Sequence, residues 1–234
     1  LVIGITGTNG KTTTTSLTYD IMKRHAKKAL LVGNIEIPYT GYALESDKDS
    51  VTVAEISSFQ LETMVTFKPH VTAILNITPD HLDRHKTLEN YIAIKESITK
   101  NQDGNDFCVL NYNDPVLREF GKTPRCKVIF FSSSEELESG VFLRGDTMII
   151  KENGVETPVC TTKDTSLVGM HNYENIMAAI AMTHAMGVPL DTIRQGIKEF
   201  TAVEHRIEFV AEKNGVKYYN DSKGTNPDAA IKAV

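Results

Sequence analysis

A glycine-rich segment near the start of the chain carries residues suited to binding phosphate. ITGTNGKTTTT, residues 5–15, places two glycines three apart, with Lys11 and a run of threonines directly after them. Such a turn between a strand and a helix directs backbone N–H groups and the positive helix N-terminus at one point. Lys11 supplies a charge for β- and γ-phosphates, and Thr12 a hydroxyl for Mg²⁺. Ile5 stands where the standard phosphate loop has its first glycine, five residues before Gly10, but the strand–turn–helix context favours a phosphate loop over an ordinary glycine turn.

Further polar side chains follow two later apolar runs. Glu55 lies at the end of VTVAEIS, and His81 lies in NITPDHLDRH, directly after VTAILNI. Ligands of an open parallel sheet gather at the carboxyl ends of its strands, so Glu55 is a candidate Mg²⁺ ligand. The crowding of charged groups around His81 favours a functional histidine over a structural one. Lys95, in YIAIKESI, is by its position alone a surface lysine.

The elements that must position these residues predict an α/β fold. Apolar runs alternate with helical patterns, which is typical of a mostly parallel central sheet flanked by helices, as in phosphate-loop ATPases. The predicted strands are LVIGIT, ALLVG, VTVAEIS, VTAILNI, FCVLN and KVIFF, and the first predicted helices span residues 11–27 and 88–100.

The pattern of apolar and polar residues changes in the second half of the chain. VFLRG, TMIIKENG and VETPVC predict a small antiparallel meander, and helices are predicted over residues 171–187 and 190–200. HRIEFVAEKNGVKYYND predicts a hairpin that turns at Asn214 and Gly215, and Asn226-Pro227 opens another helix. We therefore expect a new domain to begin after Thr201.

Composition narrows the class of protein. A net charge of -5 over 234 residues argues against a nucleic-acid-binding protein. Apolar runs stay well short of the roughly 20 residues that span a bilayer, and the apolar start lacks a basic flank and a cleavage site. Three widely spaced cysteines suit a reducing compartment, so we expect a cytoplasmic protein. Leu1 begins inside a predicted strand and Val234 ends inside a predicted helix, which leads us to expect a fragment of a longer chain.

The motifs together resemble those of a known family. GTNGKT, AEISSFQLE, NITPDHLDRH, GMHNYEN, EHRIE and NDSKGTNP resemble the Mur ligases of peptidoglycan synthesis. GTNGKT alone is shared with folylpolyglutamate synthetases, whereas SSFQLE, PDHLDRH and DSKGTNP favour the member that adds D-glutamate to UDP-N-acetylmuramoyl-L-alanine. The resemblance implies a central ATPase domain over residues 1–202 and the start of a C-terminal dinucleotide-fold domain over 203–234. The family's N-terminal UDP-binding domain is absent from this chain.

The resemblance also implies roles for individual positions. The resemblance implies catalytic roles for Lys11, His81 and Lys95. It also implies two Mg²⁺ sites whose ligands are Thr12, Glu55, His81 and a carbamylated Lys95. Asn34 and Ser57 match substrate-side residues, although Glu36 departs from the small residue that the family has near Asn34. The implied ATP contacts are Gly7, Thr8, Asn9, Gly10, Lys11, Thr12, Thr13, Asn172, Asn175, Arg206, Asp221, Lys223 and Thr225.

The implied reaction is ATP-dependent amide formation through an acyl phosphate, in a monomer that binds neither membrane nor nucleic acid. We expect this chain alone to be a poor catalyst, because the UDP-sugar domain and most of the amino-acid domain lie outside it. A sister ligase with another amino acid is the nearest alternative. A nucleotide-hydrolysing switch is an alternative of another class, and the Asn-Lys-x-Asp loop with which such proteins read guanine is missing from the sequence.

Overall fold

A nine-stranded sheet organises the part of the chain that the computed structural model describes, which is residues 1–35, 37–201, 208–224 and 230–231. The strand order is β2-β3-β1-β4-β5-β6-β7-β8-β9. Pairing is parallel from β2 through β7 and antiparallel for β7–β8 and β8–β9. The strands are β1 (Val2–Thr6), β2 (Lys28–Gly33), β3 (Ser50–Glu55), β4 (Val71–Ile74), β5 (Phe107–Asn111), β6 (Lys127–Ser132), β7 (Gly140–Arg144), β8 (Thr147–Glu152) and β9 (Val155–Thr161).

Helices cover both faces of this sheet. They are α1 (Lys11–His25), α2 (Ser58–Leu61), α3 (Leu82–His85), α4 (Leu88–Glu96), α5 (Pro115–Phe120), α6 (Met170–Ala185) and α7 (Leu190–Glu199). Two 3₁₀ turns span Tyr39–Tyr42 and Ser97–Thr99.

Alternation along the strands sorts the apolar side chains into two cores. Ile3 and Ile5 of β1 join the core formed with α1, α6 and α7. Cys108 and Leu110 of β5 join the core on the opposite face, with residues of α2, α4 and α5, whereas Val109 between them joins the first. Successive side chains of a strand point to opposite faces, so a sheet covered on both faces needs apolar residues at consecutive positions. This requirement explains why the strand sequences are nearly continuous apolar runs.

The predicted α/β architecture and its six leading strands are confirmed. The predicted meander is also confirmed, but it extends the central sheet, because Phe131 of β6 pairs in parallel with Val141 of β7. The helix predicted over 88–100 is α-helical only to Glu96 and continues as the 3₁₀ turn. The short helices α2, α3 and α5 were not predicted, although Asp114 and Pro115 form a recognisable helix start.

The predicted hairpin is present after the second half of the sheet. Its strands are β10 (Glu208–Lys213) and β11 (Val216–Asn220). Asn214 and Gly215 both have positive φ, 54° and 78°, as a two-residue turn of type I′ requires. The expected domain boundary at residues 202–203 lies outside the described residues, as does Asn226-Pro227, where the last helix is expected to open. Ala230 and Ile231, which belong to that expected helix, are described and helical. Within the described residues, no helix is both long enough and apolar enough to cross a bilayer.

Candidate functional site

The glycine-rich loop connects the end of β1 to the start of α1. Gly10 has φ 82°, and a Cβ there would lie 2.3 Å from Oδ1 of Asn175, so both backbone conformation and space require glycine. Asn76 fastens the loop from the end of β4: its Oδ1 accepts from the Asn9 N–H at 2.8 Å, and its Nδ2 donates to the Asn9 carbonyl at 3.0 Å. The loop is therefore held in shape by the neighbouring strand end and by α6.

Two lysines donate to a single carbonyl of this loop. Lys11 Nζ donates to the Gly7 oxygen at 2.9 Å and to the Thr8 oxygen at 2.8 Å. Lys95 Nζ, from α4, donates to the same Gly7 oxygen at 2.9 Å. The expectation of a surface position for Lys95 is wrong, because the residue is 1% exposed.

Burial sets the charge state of Lys95. Loss of water lowers the pKa of its amine well below the ordinary value, and the nearby charge of Lys11 lowers it further, while Asp80 acts in the opposite direction. Desolvation disfavours the charged form of a lysine, so the neutral amine is favoured here. A deprotonated lysine amine is a nucleophile, so Lys95 is a candidate reactive group of the site.

Tyr91 and Thr78 complete the support of the loop, and the sequence patterns identified neither of them. The Thr8 hydroxyl donates to the Thr78 carbonyl at 3.1 Å and accepts from the Thr78 N–H at 3.0 Å. It also lies 3.1 Å from the phenol oxygen of Tyr91, whose ring centre is 4.6 Å from Lys95 Nζ. Burial raises the pKa of Tyr91 to about 12, so its hydroxyl keeps its proton.

Glu55 presents a buried oxygen to the same end of the sheet. β1 and β3 are neighbours, and Ile5 pairs with Glu55, so the carboxylate lies beside the start of the loop. Asn34 Nδ2 donates to Oε1 at 3.0 Å, whereas Oε2 is buried and accepts no hydrogen bond from the described residues. A carboxyl oxygen that is buried without a hydrogen-bond donor is a suitable ligand for a hard cation.

His81 lies on a more open part of the site. It precedes α3 in a left-handed conformation with φ 51°, and its side chain is 48% exposed. Its Nε2 is 3.7 Å from Oδ2 of Asp80, and its ring centre is 5.0 Å from that of Phe59. Among the described residues, no three His, Cys, Asp or Glu side chains form a ready-made metal cluster. A cation at this edge of the sheet would therefore be coordinated in part by oxygen atoms of a bound substrate or of protein hydroxyl groups.

The remaining predicted positions lie near α2, on α6 and near the hairpin. Ser57 is the N-cap of α2, in a capping box with Gln60 that the pattern S-x-x-Q could have revealed. Asn172 and Asn175 are buried side by side on α6, with Nδ2 of Asn175 donating to Oδ1 of Asn172 at 3.3 Å. Of the predicted nucleotide contacts near the hairpin, Asp221 and Lys223 are in the turn after β11, and Arg206 and Thr225 lie outside the described residues.

The depressed pKa of Lys95 predicts a pH-dependent stability. The unfolded chain binds the Lys95 proton up to the ordinary pKa of 10.5, while the native chain releases it earlier. Native stability should therefore rise with pH between these two values. We expect Lys95→Met to be more stable than the wild type at pH 7 and to lose this advantage progressively towards pH 10. Urea unfolding in CO₂-free buffer measures the effect, with Lys163→Met, whose side chain is 84% exposed, as the control. A pH-independent difference would contradict the assignment.

Comparison with known proteins places this geometry in one family. Residues 5–183 match the Mur ligase middle domain. UDP-N-acetylmuramoylalanine–D-glutamate ligases from Lachnoclostridium phytofermentans and Lachnospira eligens are 54% and 52% identical over 233 residues. Both matches cover 100% of this chain and 51% and 52% of those enzymes, so the chain spans about half the length of the curated relatives it matches.

Solved structures agree on the fold. MurF from Acinetobacter baumannii superposes with a TM-score of 0.77 at 22% identity, over 99% of this chain and 52% of that one. The MurF ligase from Thermotoga maritima in complex with ADP gives 0.73 at 21% identity, over 99% and 55%. The domain match covers the loop, Glu55, His81, Lys95 and the start of α6, and on that basis the chain belongs to the Mur ligase family.

Proposed function

We propose that the protein of which this chain forms part joins D-glutamate to UDP-N-acetylmuramoyl-L-alanine, with ATP hydrolysed to ADP and phosphate. The observation that carries the proposal is the glycine loop whose Gly7 carbonyl binds both Lys11 and the buried Lys95. A glycine loop at the N-terminus of a helix, with a lysine beside it, fits the binding and transfer of a phosphoryl group. The names of the relatives that match this chain along its whole length support the choice of substrates.

ATP would bind with its phosphates on the loop and the N-terminus of α1. Lys11 Nζ donates to two carbonyl oxygens of its own loop. An anionic phosphate is a stronger partner than a neutral carbonyl, so we infer that Lys11 swings from the Gly7 and Thr8 oxygens onto the β- and γ-phosphates. Asn172 and Asn175 lie beside the loop on α6 and are proposed to line the adenosine side. Asp221 and Lys223, and Arg206 and Thr225 outside the described residues, are proposed to complete the site from the third domain.

The residues present fit two magnesium positions. Glu55 Oε2 and the Thr12 hydroxyl would hold one ion, and His81 with a modified Lys95 the other. Bound Mg²⁺ neutralises charge on the transferring phosphoryl group and orients it. Phosphate oxygens and water complete such sites in enzymes of this chemistry, which agrees with the absence of a three-residue cluster among the described residues.

The reaction follows from this arrangement without a nucleophilic side chain. The alanine carboxylate attacks the γ-phosphorus, and the bond between this phosphorus and the bridging oxygen breaks. ADP departs, and the alanine carboxylate has become an acyl phosphate. The amine of D-glutamate attacks the acyl carbon, loses a proton, and expels phosphate to form the amide. Asn34 and Ser57 are proposed to face the muramoyl-alanine end, and closure of the third domain, residues 203–234 and beyond, onto residues 1–202 would exclude water. We propose the cytoplasm as the compartment of the reaction, since both ATP and the UDP-linked substrate are nucleotides of that compartment.

Substrate dependence is the direct test of the proposed function. With the full-length protein, ADP release should require both UDP-N-acetylmuramoyl-L-alanine and D-glutamate, because the acyl phosphate forms on the first and is consumed by the second. L-Alanine and a diamino acid should not replace D-glutamate. Lys11→Ala should reduce kcat by about a hundredfold or more, while Lys163→Ala should not. Release with another amino acid would favour a sister ligase, and release without either substrate a hydrolytic switch.

The metal assignment of Glu55 can be tested separately. Glu55→Gln keeps the size and the contact with Asn34 but removes the charge on the buried oxygen. We expect the Mg²⁺ concentration for half-maximal activity to rise about tenfold or more. The matched control is Glu152→Gln, because that carboxylate is 65% exposed and lies on β8, away from the loop. An unchanged Mg²⁺ requirement in Glu55→Gln would remove Glu55 from the metal site.

Carbamylation of Lys95 is the remaining part of the proposal. The neutral Nζ can attack CO₂ and lose a proton, which converts the amine into an anionic carboxylate-like group on the same helix. With ¹³C-labelled bicarbonate, the full-length protein should show a bound carbonyl resonance that is missing from Lys95→Met. A resonance of equal intensity in both proteins, or in neither, would contradict the modification.

A further inference from the structure

His85 is a buried histidine to which the proposed chemistry gives no role. Its side chain, at the end of α3, is 0% exposed. Nε2 lies 3.0 Å from the Ser58 hydroxyl of α2, and Nδ1 lies 3.1 Å from Oε1 of Glu62, at ion-pair distance but outside hydrogen-bonding geometry. The His85 carbonyl also accepts from Asn90 Nδ2 of α4 at 3.1 Å. One residue therefore links three helices around the site.

The ring of Phe59 connects His85 to His81. The Phe59 and His85 rings stack at 5.5 Å with an interplanar angle of 23°. The Phe59 and His81 rings lie 5.0 Å apart and are tilted by 52°. On its other side, His85 lies 5.3 Å from the ring of Tyr91, which contacts Lys95 and the loop. His85 is thus packed between the half-exposed His81 and the buried lysine.

The polar character of His85 needs an explanation beyond packing. A buried imidazole has to be hydrogen-bonded to offset the loss of water, and an apolar ring would fill the same space without that cost. Nε2 and the Ser58 hydroxyl share one hydrogen bond of 3.0 Å, while Nδ1 faces the Glu62 carboxylate at 3.1 Å. This fixes the direction of the Ser58 hydroxyl and with it the backbone between Ser57 and Phe59.

We propose that His85 is a positioning residue of the ligase site. Through Ser58 it fixes the turn that carries Ser57, and through Phe59 it sets the orientation of the His81 ring. Because α2 and α3 contain only four residues each, these side-chain contacts replace the rigidity that a longer helix would have. The expected kinetic effect of His85 rests on the proposed function. Its expected structural effect rests on the Ser58 hydrogen bond and the ring contacts.

His85→Phe in the full-length protein separates hydrogen bonding from ring packing. It keeps an aromatic ring against Phe59 but removes both nitrogens. We expect kcat to fall and the KM for UDP-N-acetylmuramoyl-L-alanine to rise, each by about tenfold, because reacting groups displaced by less than an ångström lose rate steeply. The KM for ATP should stay within about twofold, since the loop contacts of Lys11 are untouched. Ser58→Ala, a smaller change at the other end of the bond, should give the same pattern.

A matched control exists at the opposite end of the strands. His70 Nδ1 is 3.1 Å from Oδ1 of Asp106, and its ring packs edge-on to Phe107 at 5.7 Å. His70→Phe therefore removes a comparable histidine–carboxylate contact away from the loop, and it should leave kcat and both KM values unchanged. Melting temperatures of all variants, measured in parallel, show how much of any change is loss of fold.

A spectroscopic measurement tests the structural part without catalysis. In protein labelled with ¹³C at histidine Cε1, the His81 resonance, assigned by its loss in His81→Gln, reports the position of the Phe59 ring. It should shift in His85→Phe and Ser58→Ala but not in His70→Phe. An unmoved resonance, or kinetic losses that affect ATP equally and follow the melting temperature, would overturn the proposal. If the wild type does not ligate D-glutamate, the proposed function fails, and the resonance alone decides the role of His85.

Discussion

The carbonyl oxygen of Gly7 is the contact on which the rest of the site depends. Two lysine nitrogens from different elements donate to it, each at 2.9 Å. Two ammonium groups on one neutral oxygen repel each other, and this repulsion is reduced where one amine is buried and gives up its proton. The oxygen therefore ties the loop to α4 and brings the two lysine nitrogens together. Burial, with the nearby charge of Lys11 as a second cause, lowers the pKa of Lys95 at this contact.

The sheet order makes this contact possible. β1 lies between β3 and β4, so the loop begins beside Glu55 on one side and Asn76 on the other. The parallel arrangement brings these three strand ends to one edge, and the two cores hold α1 and α4 on opposite faces. The long side chain of Lys95 then reaches the loop from the face of the sheet that α4 covers, while α6 packs against the loop from the opposite face. Residues far apart in the chain, such as Gly10 and Asn175, meet at the loop because the strands bring their elements together.

Local patterns predicted the parts of the site that lie on strand ends. The loop, Glu55 and His81 each follow an apolar run, and the end of a buried parallel strand is where ligands bind. The burial of Lys95 could not be predicted this way, because one lysine in an apolar helix pattern is ordinarily exposed. Its burial depends on how α4 is rotated against the second core, which no local pattern contains. The same holds for Tyr91 and for the parallel pairing that joins the meander to the sheet, since both depend on contacts between distant segments.

The two sides of the site differ in how they are held. The side that carries the glycine loop is built on the five-residue strand β1 and the 15-residue helix α1, with contacts to Asn76, Tyr91 and Asn175. The His81 side rests on two four-residue helices, which side-chain contacts must hold because so short a helix is not stable by itself. Rigidity on the first side suits a phosphate group whose shape is constant. On the second side the position of His81 depends on Phe59, Ser58 and His85, so small changes there should alter orientation before they alter binding. The contrast explains why a buried polar residue is retained where an apolar one would pack equally well.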